Sequence, residues 1–430
     1  MIIKNLKISN FKSFDELEID LHELNVLIGS NASGKSNFLQ LFKFLRDIID
    51  SGFENAVSLQ GGIGFLRNIN LGASKNFSLR LAFEHDYLLP VLTKSNQQLI
   101  IQIHETIYEF DLKFVKKIPG YIIQNEKLLA RGKSLISEQA LPEVMNFRVA
   151  DAEEIILNRI NEVDAGEIIL NRVNGEVTID VHIPEAIKRE DLFLPYFQHE
   201  KLDSNVSLIQ TSFFSYMFPS LKEMLNNLAI YDFDPKLPKL ATPITGKAEL
   251  EEDGSNLTIV LKNIIERKNN NRKLLNLIKD VLPFIKNMNV EKFADKSLLF
   301  KLKETFFDKQ YLPASLISDG TINILLLIIA LYFEKKNLVI IEEPERNIHP
   351  FLISKVVNLL KDAAHHKQII ISTHNPEIVK YADLEHILLI ARDANGISTI
   401  SRPADKKEVK TFLQNEIGIE ELFVQNLLGI

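Results

Sequence analysis

A glycine-rich run that ends in lysine and serine is the segment of this sequence with the most specific chemistry. It follows the apolar residues 24–28 and reads Gly29-Ser30-Asn31-Ala32-Ser33-Gly34-Lys35-Ser36. Glycines let backbone N–H groups curl around phosphate oxygens at the start of a helix, where the donors and the helix dipole favour anions. We therefore predict that Lys35 reaches the β- and γ-phosphates of a nucleotide and that the Ser36 hydroxyl ligates Mg²⁺.

Two adjacent carboxylates close a second apolar run. Residues 339–341 are followed directly by Glu342 and Glu343. Two acids after a strand are usually solvated loop residues, but the phosphate-binding run upstream reverses that interpretation. Neighbouring strand residues point to opposite sides of a sheet, so the two acids cannot share one role. We predict that Glu342 holds Mg²⁺ and that Glu343 polarises the attacking water, which suits phosphoryl transfer by positioning and electrostatics.

A histidine and a serine–glycine turn place two further polar groups at element ends. His374 follows the apolar run 368–371 and can donate a hydrogen bond to the γ-phosphate or the attacking water, although an ordinary polar cap is the plainer interpretation. Ser318-Asp319-Gly320-Thr321 opens the apolar run 322–333. Its hydroxyl and bare N–H groups serve equally as a helix N-cap and as an anion site. If that anion is the γ-phosphate bound by a second copy, ATP joins two protomers and hydrolysis releases them.

Hydropathy periodicity predicts the elements that position these residues. The predicted strands are 2–8, 17–21, 24–28, 77–83, 99–103, 106–114, 338–341, 368–371 and 386–391. The predicted helices are 35–49, 322–333, 350–363 and 376–381. The first third is therefore predicted to form a β-rich lobe around one phosphate-binding turn. The alternation of strands and helices in the last third predicts a parallel sheet covered by helices.

The middle of the chain carries weaker signals. Residues 154–161 recur with small changes as 167–174, and we predict a local duplication with a β-hairpin that ends in Asn174-Gly175. Helices are expected within 185–230. The basic stretch 262–279 is either a solvated helix face or a nucleic-acid contact.

Composition excludes several classes of protein. Of 430 residues, 46% are hydrophobic and 25% charged, enough for a large core or two connected lobes. The absence of cysteine excludes disulfides and cysteine-ligated metal centres. A net charge of −7 argues against a strongly basic nucleic-acid coat, although a local basic patch could still bind DNA. Without a secretory signal or an apolar run of about 20 residues, we expect a cytoplasmic protein with no membrane partner.

In this order, the motifs resemble those of the ABC-type ATPases that include SMC, RecF and the OLD-family nucleases. They are most similar to standalone AAA-domain ATPases of bacteria and archaea, among them subunits of phage-defence systems. The resemblance rests on residues 10–14, on 29–37 (Walker A), on 318–321 (the signature), on 342–345 with His349-Pro350 (Walker B and its loop), on 372–376 (the histidine switch), and on the blocks 231–233 and 253–257. It implies that Lys12 contacts the nucleotide, that Asn37 completes the Walker A motif and that Asp319 belongs to the signature.

The resemblance implies an α/β P-loop fold with the two-lobed head of ABC-type ATPases. That head has a mixed β N-terminal lobe, a parallel sheet flanked by helices and a variable middle insert. The expected boundaries are 1–115 for the N-terminal lobe with Walker A, 116–230 for the insert and 231–430 for the C-terminal lobe with the other motifs. ATP and Mg²⁺ are the implied cofactors. The implied partner is a second copy, joined head to tail over two ATP molecules, with assembly beyond the dimer left open.

The sequence departs from the family pattern in places. Arg346 stands where the family commonly has asparagine, and Gln60, ahead of Gly61 and Gly62, is the candidate for the Q-loop glutamine. No acidic Toprim constellation follows residue 391 and no long heptad run exists. Neither an OLD-type nuclease activity nor a long SMC-like coiled coil is therefore implied.

Such an ATP-dependent switch could have one of three functions. The first is regulation of an effector protein, such as a nuclease or toxin, in phage defence; it is favoured because the resemblance covers a switch without a catalytic domain of its own. The second is a RecF- or SMC-like ATPase that binds double-stranded DNA in repair, which the stretch 262–279 supports. A membrane-transport ATPase is disfavoured by the Glu-Glu-Pro-Glu and Ser-Asp-Gly forms of the motifs.

Overall fold

The computed structural model describes residues 2–91, 98–116, 120–137, 161–182, 201–211, 214, 218–293, 296–307, 310–414, 418–425 and 427. The chain divides into two compact units, each assembled from separate segments. The first unit comprises Met1–His22, Asn37–Asn226 and Arg392–Thr399; the second comprises Glu23–Ser36, Asn227–Ala391 and Ile400–Ile430. Within the described ranges, none of the helices has the length and apolarity needed to cross a membrane.

Strands and helices are numbered in chain order. The strands are β1 (Ile2–Phe11), β2 (Phe14–Asp20), β3 (Leu24–Ile28), β4 (Phe77–Val91), β5 (Gln98–Phe114), β6 (Tyr121–Ser137), β7 (Asn161–Val173), β8 (Glu176–His182), β9 (Leu228–Tyr231), β10 (Thr242–Pro243), β11 (Ile285–Phe293), β12 (Ser297–Glu304), β13 (Leu312–Pro313), β14 (Leu338–Glu342), β15 (Gln368–Thr373), β16 (Ile387–Arg392) and β17 (Ser398–Ser401). The α-helices are α1 (Lys35–Ser51), α2 (Phe53–Leu59), α3 (Ile63–Leu66), α4 (Pro219–Asn226), α5 (Leu257–Ile265), α6 (Lys268–Val281), α7 (Asp319–Tyr332), α8 (Ile353–Ala364), α9 (Pro376–Tyr381), α10 (Lys407–Gln414) and α11 (Ile419–Val424).

The first unit is built on a seven-stranded antiparallel sheet in the order β2-β1-β4-β5-β6-β7-β8. Apolar and polar side chains alternate along its strands, so that one face of the sheet is buried. In β1, Leu6 and Ile8 are buried and Lys7 between them is exposed. Aromatic side chains fill the core, with Phe77 and Phe110 meeting edge to face at 5.4 Å between ring centres. Phe44 of α1 and Phe53 of α2 contact the same two rings, so aromatic packing joins these helices to the sheet.

Two predictions for the first unit have clear outcomes. The predicted strands 99–103 and 106–114 are one strand, β5, whose pairing with β6 shifts register between Ile103 and Glu105; a bulge interrupts the alternation without ending the strand. The predicted hairpin at Asn174-Gly175 is confirmed, because β7 and β8 pair around this turn and both residues have positive φ, 50° and 91°. Residues 154–160 of the first copy of the duplication lie outside the described residues, as does the whole of 185–200. Of the helices expected within 185–230, the described residues include α4 (Pro219–Asn226).

The second unit is built on a six-stranded sheet in the order β17-β16-β3-β15-β14-β9. From β16 to β9 each neighbouring pair is parallel. All five residues of β3 are buried, as expected for a central strand covered on both faces. In α7, all residues from Thr321 to Leu331 are buried, so the long apolar run is a core helix. The predicted parallel sheet and the helices around it are confirmed.

A smaller antiparallel sheet, β10-β12-β11 with β13 on β12, completes the second unit together with α5 and α6. The basic stretch 262–279 spans these two helices. On α6, Leu274, Ile278 and Val281 are buried, whereas Lys268 and Arg272 are exposed. This exposure of the basic side chains is what both predicted interpretations require, a solvated helix face and a nucleic-acid contact.

The division into units differs from the boundaries predicted at residues 115 and 230. β6 to β8 continue the antiparallel sheet of β1 and β4, so the described part of the predicted insert is not separate from the N-terminal sheet. β3 and the loop after it belong to the second unit, because β3 pairs with β15 and β16. The phosphate-binding loop is therefore carried by the parallel sheet rather than by the N-terminal lobe.

Candidate nucleotide-binding and catalytic site

The phosphate-binding loop joins β3 to α1 by a turn that glycine makes possible. A Cβ on Gly29 would lie 2.4 Å from the carbonyl oxygen of Ile390 and 2.7 Å from Ser33 Oγ, so no larger residue fits there. Gly34, with φ of 113°, has a backbone conformation that side chains rarely adopt. The loop thus brings the backbone from a buried strand to a helix N-terminus in six residues, the geometry that anion binding needs.

Lys35 lies folded over this loop. Its ammonium donates hydrogen bonds to the carbonyl oxygens of Gly29 at 2.8 Å and Ser30 at 2.9 Å. Burial lowers the pKa of Lys35, although the carboxylates of Glu343 and Glu342 act in the opposite direction. The ammonium is therefore close to several negative charges and to the loop, where phosphate oxygens would meet it.

Ser36 and Glu342 are 306 residues apart in the sequence and adjacent in the structure. The Ser36 hydroxyl donates to Glu342 Oε2 at 3.4 Å. Burial raises the pKa of Glu342, and the negative charge of Asp232 adds to that effect. A bound cation would relieve both. Among the described residues no group of three or more histidine and acidic side chains could hold a metal ion. A hydroxyl and a carboxylate nevertheless fit Mg²⁺ that takes its remaining ligands from water and nucleotide phosphates.

Glu343 and His374 form a second pair beside the first. His374 Nδ1 lies 2.8 Å from Glu343 Oε1. The backbone of Glu343 has a positive φ of 44°, and its N–H donates to the carbonyl oxygen of Ser372 at 2.9 Å. The two adjacent acids thus contact different groups, Glu342 the serine and Glu343 the histidine. About half of the His374 side chain is exposed, so it is accessible to a ligand.

Arg346, which in the sequence is only a departure from the family pattern, is a member of this site. Its Nη1 lies 2.8 Å from Asp232 Oδ1, and its Nη2 lies 3.3 Å from Glu343 Oε2. Asp232 is available because β9 pairs in parallel with β14, which places Tyr231 opposite Ile341. Its spacing of three residues from Glu343 is the one indication in the sequence that the two could interact. Its other partner, Asp232, is more than 100 residues away in the sequence and gives no such indication.

Glu345 stabilises the backbone around His374 through Thr373. It is buried, and one of its carboxylate oxygens accepts a hydrogen bond from the Thr373 hydroxyl. The same Thr373 oxygen accepts the N–H of Asn375 at 2.9 Å. Burial raises the pKa of Glu345. This network fixes the backbone on both sides of His374, which explains how an exposed histidine is held in place.

The signature residues begin helix α7. The Ser318 side chain accepts the N–H of Thr321 at 3.2 Å as an N-cap, and Asp319 forms an ion pair with Lys239. Gly320 is required by close packing, because a Cβ there would lie 2.4 Å from the carbonyl oxygen of Asn347. The predicted capping role of Ser318 is confirmed, and the turn presents its N-terminal end as a polar surface.

Three predicted residues lie in the first unit. Lys12 has its ammonium 5.8 Å from the ring centre of Phe11, and burial lowers its pKa. Asn37 donates to Ser13 Oγ at 2.9 Å. Gln60 is buried, and neither polar atom of its amide has a partner among the described residues. Nucleotide contact by Lys12 and Asn37 and the Q-loop role of Gln60 stay predictions.

The described elements have the α/β fold of SMC head domains. The solved head of an SMC protein, in the crystal structure of the SmcHead bound to the C-winged helix domain of ScpA, shares the fold with a TM-score of 0.50 at 13% identity, over 93% of this chain and 98% of that chain. The sequence model of the AAA ATPase domain family matches residues 1–379, and the chain belongs to that family.

Short matches to RecF proteins agree with this assignment. The DNA replication and repair protein RecF of Lactococcus lactis subsp. lactis is 41% identical over 46 residues, which are 10% of this chain and 13% of RecF. RecF of Clostridium acetobutylicum is 49% identical over 41 residues, 9% of this chain and 11% of that protein. The predicted α/β head and the resemblance to SMC- and RecF-type ATPases are confirmed, whereas the matches span only these small shares of the RecF chains.

Proposed function

We propose that the protein binds ATP with Mg²⁺ and hydrolyses it at the site formed by Lys35, Ser36, Glu342, Glu343 and His374. The observation that carries the proposal is the convergence of these side chains where β3, β14 and β15 end. Residues from three distant parts of the chain meet there, within hydrogen-bond reach in two pairs. Ligands of open α/β sheets bind at the carboxyl ends of the strands, which supports the same location.

Each residue has a role that follows from its contacts. Lys35 and the loop N–H groups bind and orient the phosphates, and Ser36 and Glu342 hold the cation. When bound, Mg²⁺ neutralises charge on the phosphate oxygens. Glu343 accepts a hydrogen bond from the attacking water and orients it. His374 Nδ1 lies 2.8 Å from Glu343 Oε1, and its half-exposed ring can instead donate a hydrogen bond to the γ-phosphate or the water.

A second copy of the chain completes the site in this proposal. Ser318, Asp319 and Gly320 form the N-terminal end of a 14-residue helix, where N–H donors and the helix dipole favour an anion. Two heads would close over two ATP molecules, each signature turn facing the nucleotide of its partner. ATP would then stabilise the dimer, and hydrolysis would release it.

We propose further that dimer closure regulates an effector protein, such as a nuclease or toxin, in phage defence. The support is the resemblance to ATPase subunits of such systems. The solved SMC head adds to it, because that head is bound to a domain of another protein, so a fold of this type can carry a protein partner. The alternative output is DNA binding in repair. It is supported by the exposed Lys268, Arg272, Lys273 and Lys279 on α6 and by the short matches to RecF.

Substitution of Lys35 tests the ATPase proposal. We expect Lys35→Ala to abolish steady-state phosphate release, because the ammonium that meets the phosphates is lost. Lys410→Ala is the matched control, since Lys410 is exposed on α10, and it should turn over ATP like the wild type. Normal hydrolysis by Lys35→Ala would refute the site.

A capture experiment distinguishes the two proposed functions, regulation of an effector protein and DNA binding in repair. Glu343→Gln should retain ATP and accumulate the closed dimer, as seen by light scattering; a variant that binds ATP and stays monomeric would refute the role of the signature turn. The same variant, recovered from its native cells with ATP and Mg²⁺, should carry a stoichiometric protein partner with nuclease or toxin features. Recovery of DNA without such a protein would favour the repair function instead.

A further inference from the structure

The guanidinium of Arg346 lies between two carboxylates of the candidate site. Its Nη2 and Nε are 3.3 and 3.4 Å from Glu343 Oε2. On the other side its Nη1 is 2.8 Å from Asp232 Oδ1 and 3.2 Å from the carbonyl oxygen of Phe233. A planar guanidinium has enough donors, in a fixed arrangement, to serve both partners at once.

We propose that Arg346 is the positioning residue for Glu343, and that Asp232 is the anchor that keeps Arg346 in place. The inference rests on the proposed function, because it assigns a role in the same hydrolytic site. The two oxygens of Glu343 have separate partners: His374 meets Oε1 and Arg346 meets Oε2. When His374 turns toward a nucleotide, Oε1 becomes free to accept the water, and Arg346 still holds the carboxylate by Oε2.

The contacts of Arg346 with Asp232 are shorter than its contacts with Glu343. This difference indicates which carboxylate anchors the guanidinium and which one is positioned by it. Arg346 bonds at 2.8 Å to Asp232 but at 3.3 Å or more to Glu343. The guanidinium is therefore held more closely by Asp232 and Phe233, which follow β9, than by Glu343. Without it, a glutamate at the end of a strand has three rotatable side-chain bonds and several accessible rotamers.

The backbone of Arg346 is also fixed. Asn323, buried on α7, donates to the carbonyl oxygens of Arg346 at 2.8 Å and Pro344 at 3.2 Å. The N–H of Arg346 donates to the carbonyl oxygen of Glu343 at 2.9 Å. Both the main chain and the guanidinium are thus placed by contacts within the second unit. A residue held in this way can orient a neighbour, which a freely rotating surface arginine cannot.

The test measures kcat and KM for ATP in Arg346→Ala, Arg346→Lys, Asp232→Asn and the double variant Asp232→Asn/Arg346→Ala, with Lys410→Ala as the control. We expect Arg346→Ala to lower kcat roughly 10- to 100-fold, with KM within about 2-fold of wild type, because Glu343 acts on water and not on ATP binding. Arg346→Lys should recover only part of kcat, since an ammonium cannot serve both carboxylates. At saturating Mg²⁺, the double variant should be no slower than Arg346→Ala, because Asp232 acts on Glu343 through Arg346; the saturating cation removes the separate effect of the Asp232 charge on Glu342.

Three results would overturn the proposal: unchanged kcat in Arg346→Ala, a rise in KM that accounts for the whole loss, or additive losses in the double variant. Circular dichroism and thermal midpoints check that each variant is folded. If Arg346→Ala does not fold, Asp232→Asn, which keeps the side-chain shape, takes its place and should lower kcat with KM unchanged. A wild-type protein without turnover would overturn the proposed function together with this inference. Turnover that is abolished by Lys35→Ala but untouched by Arg346→Ala would overturn the inference alone.

Discussion

Gly320→Ala probes how tightly the signature turn packs against the loop that carries Arg346. The added Cβ would lie 2.4 Å from the carbonyl oxygen of Asn347, and since real Cβ atoms essentially never approach closer than 3.0 Å, the carbonyl must retreat by at least 0.6 Å. It cannot do so freely, because Asn323 holds the carbonyls of Pro344 and Arg346 nearby. Overpacking costs about 1–3 kcal/mol, and a backbone obstacle places this case at the upper end. Alanine regains about 1 kcal/mol in a helix, so the net loss is about 2 kcal/mol.

Thermal unfolding measures this loss. A change of about 2 kcal/mol corresponds to a midpoint lowered by roughly 4–8 °C for a unit of this size. The matched control is Gly64→Ala on α3, where nothing lies within 4 Å of the added Cβ; its midpoint should be unchanged or slightly higher. A Gly320→Ala protein as stable as the wild type would refute the reasoning, because it would show that the loop yields without cost.

Two further predictions concern the first unit. Glu126→Ala should destabilise it by about 3–5 kcal/mol, because the fully buried Arg172 loses the carboxylate that lies 3.5 Å away. The control is Glu109→Ala: the Glu109 side chain is 39% exposed and lies 3.7 Å from Arg80, so its removal should cost at most about 1 kcal/mol. Equal losses of unfolding free energy in urea would contradict this reasoning. Burial lowers the pKa of His85 to about 4 from its ordinary 6.5, so the unfolded chain gains a proton between pH 6.5 and 4 that the folded chain does not, and stability falls as the pH falls through that window. His85→Gln should reduce the drop in thermal midpoint between pH 7 and 5, and an unchanged drop would assign the acid sensitivity to other groups.

Much of the site was predictable because its parts are local in sequence. A phosphate-binding turn between an apolar run and a helix leaves little freedom, and β3 has the predicted bounds. The carboxylates and the histidine were predicted at the ends of β14 and β15, where the structure has them. The buried helix after Ser318 was also predictable, since residues 322–333 are apolar on all sides apart from Asn323.

The remainder depends on pairing between distant segments, which periodicity does not report. Nothing near Arg346 in the sequence indicates that it meets Asp232, because that contact exists only when β9 lies beside β14. The assignment of β3 to the second unit follows from its pairing with β15, about 345 residues later in the chain. The continuity of β5 through its bulge was missed because a register shift mimics the end of a strand.

In the proposed site, Glu343 activates the water that attacks a bound ATP molecule. The most direct test is the measurement of phosphate release by Glu343→Gln beside the wild type, with ATP binding checked in the same samples. We predict that the variant binds ATP as the wild type does and that its rate of phosphate release is lower by a factor of about 100 or more. Equal phosphate release by the two proteins would contradict the account.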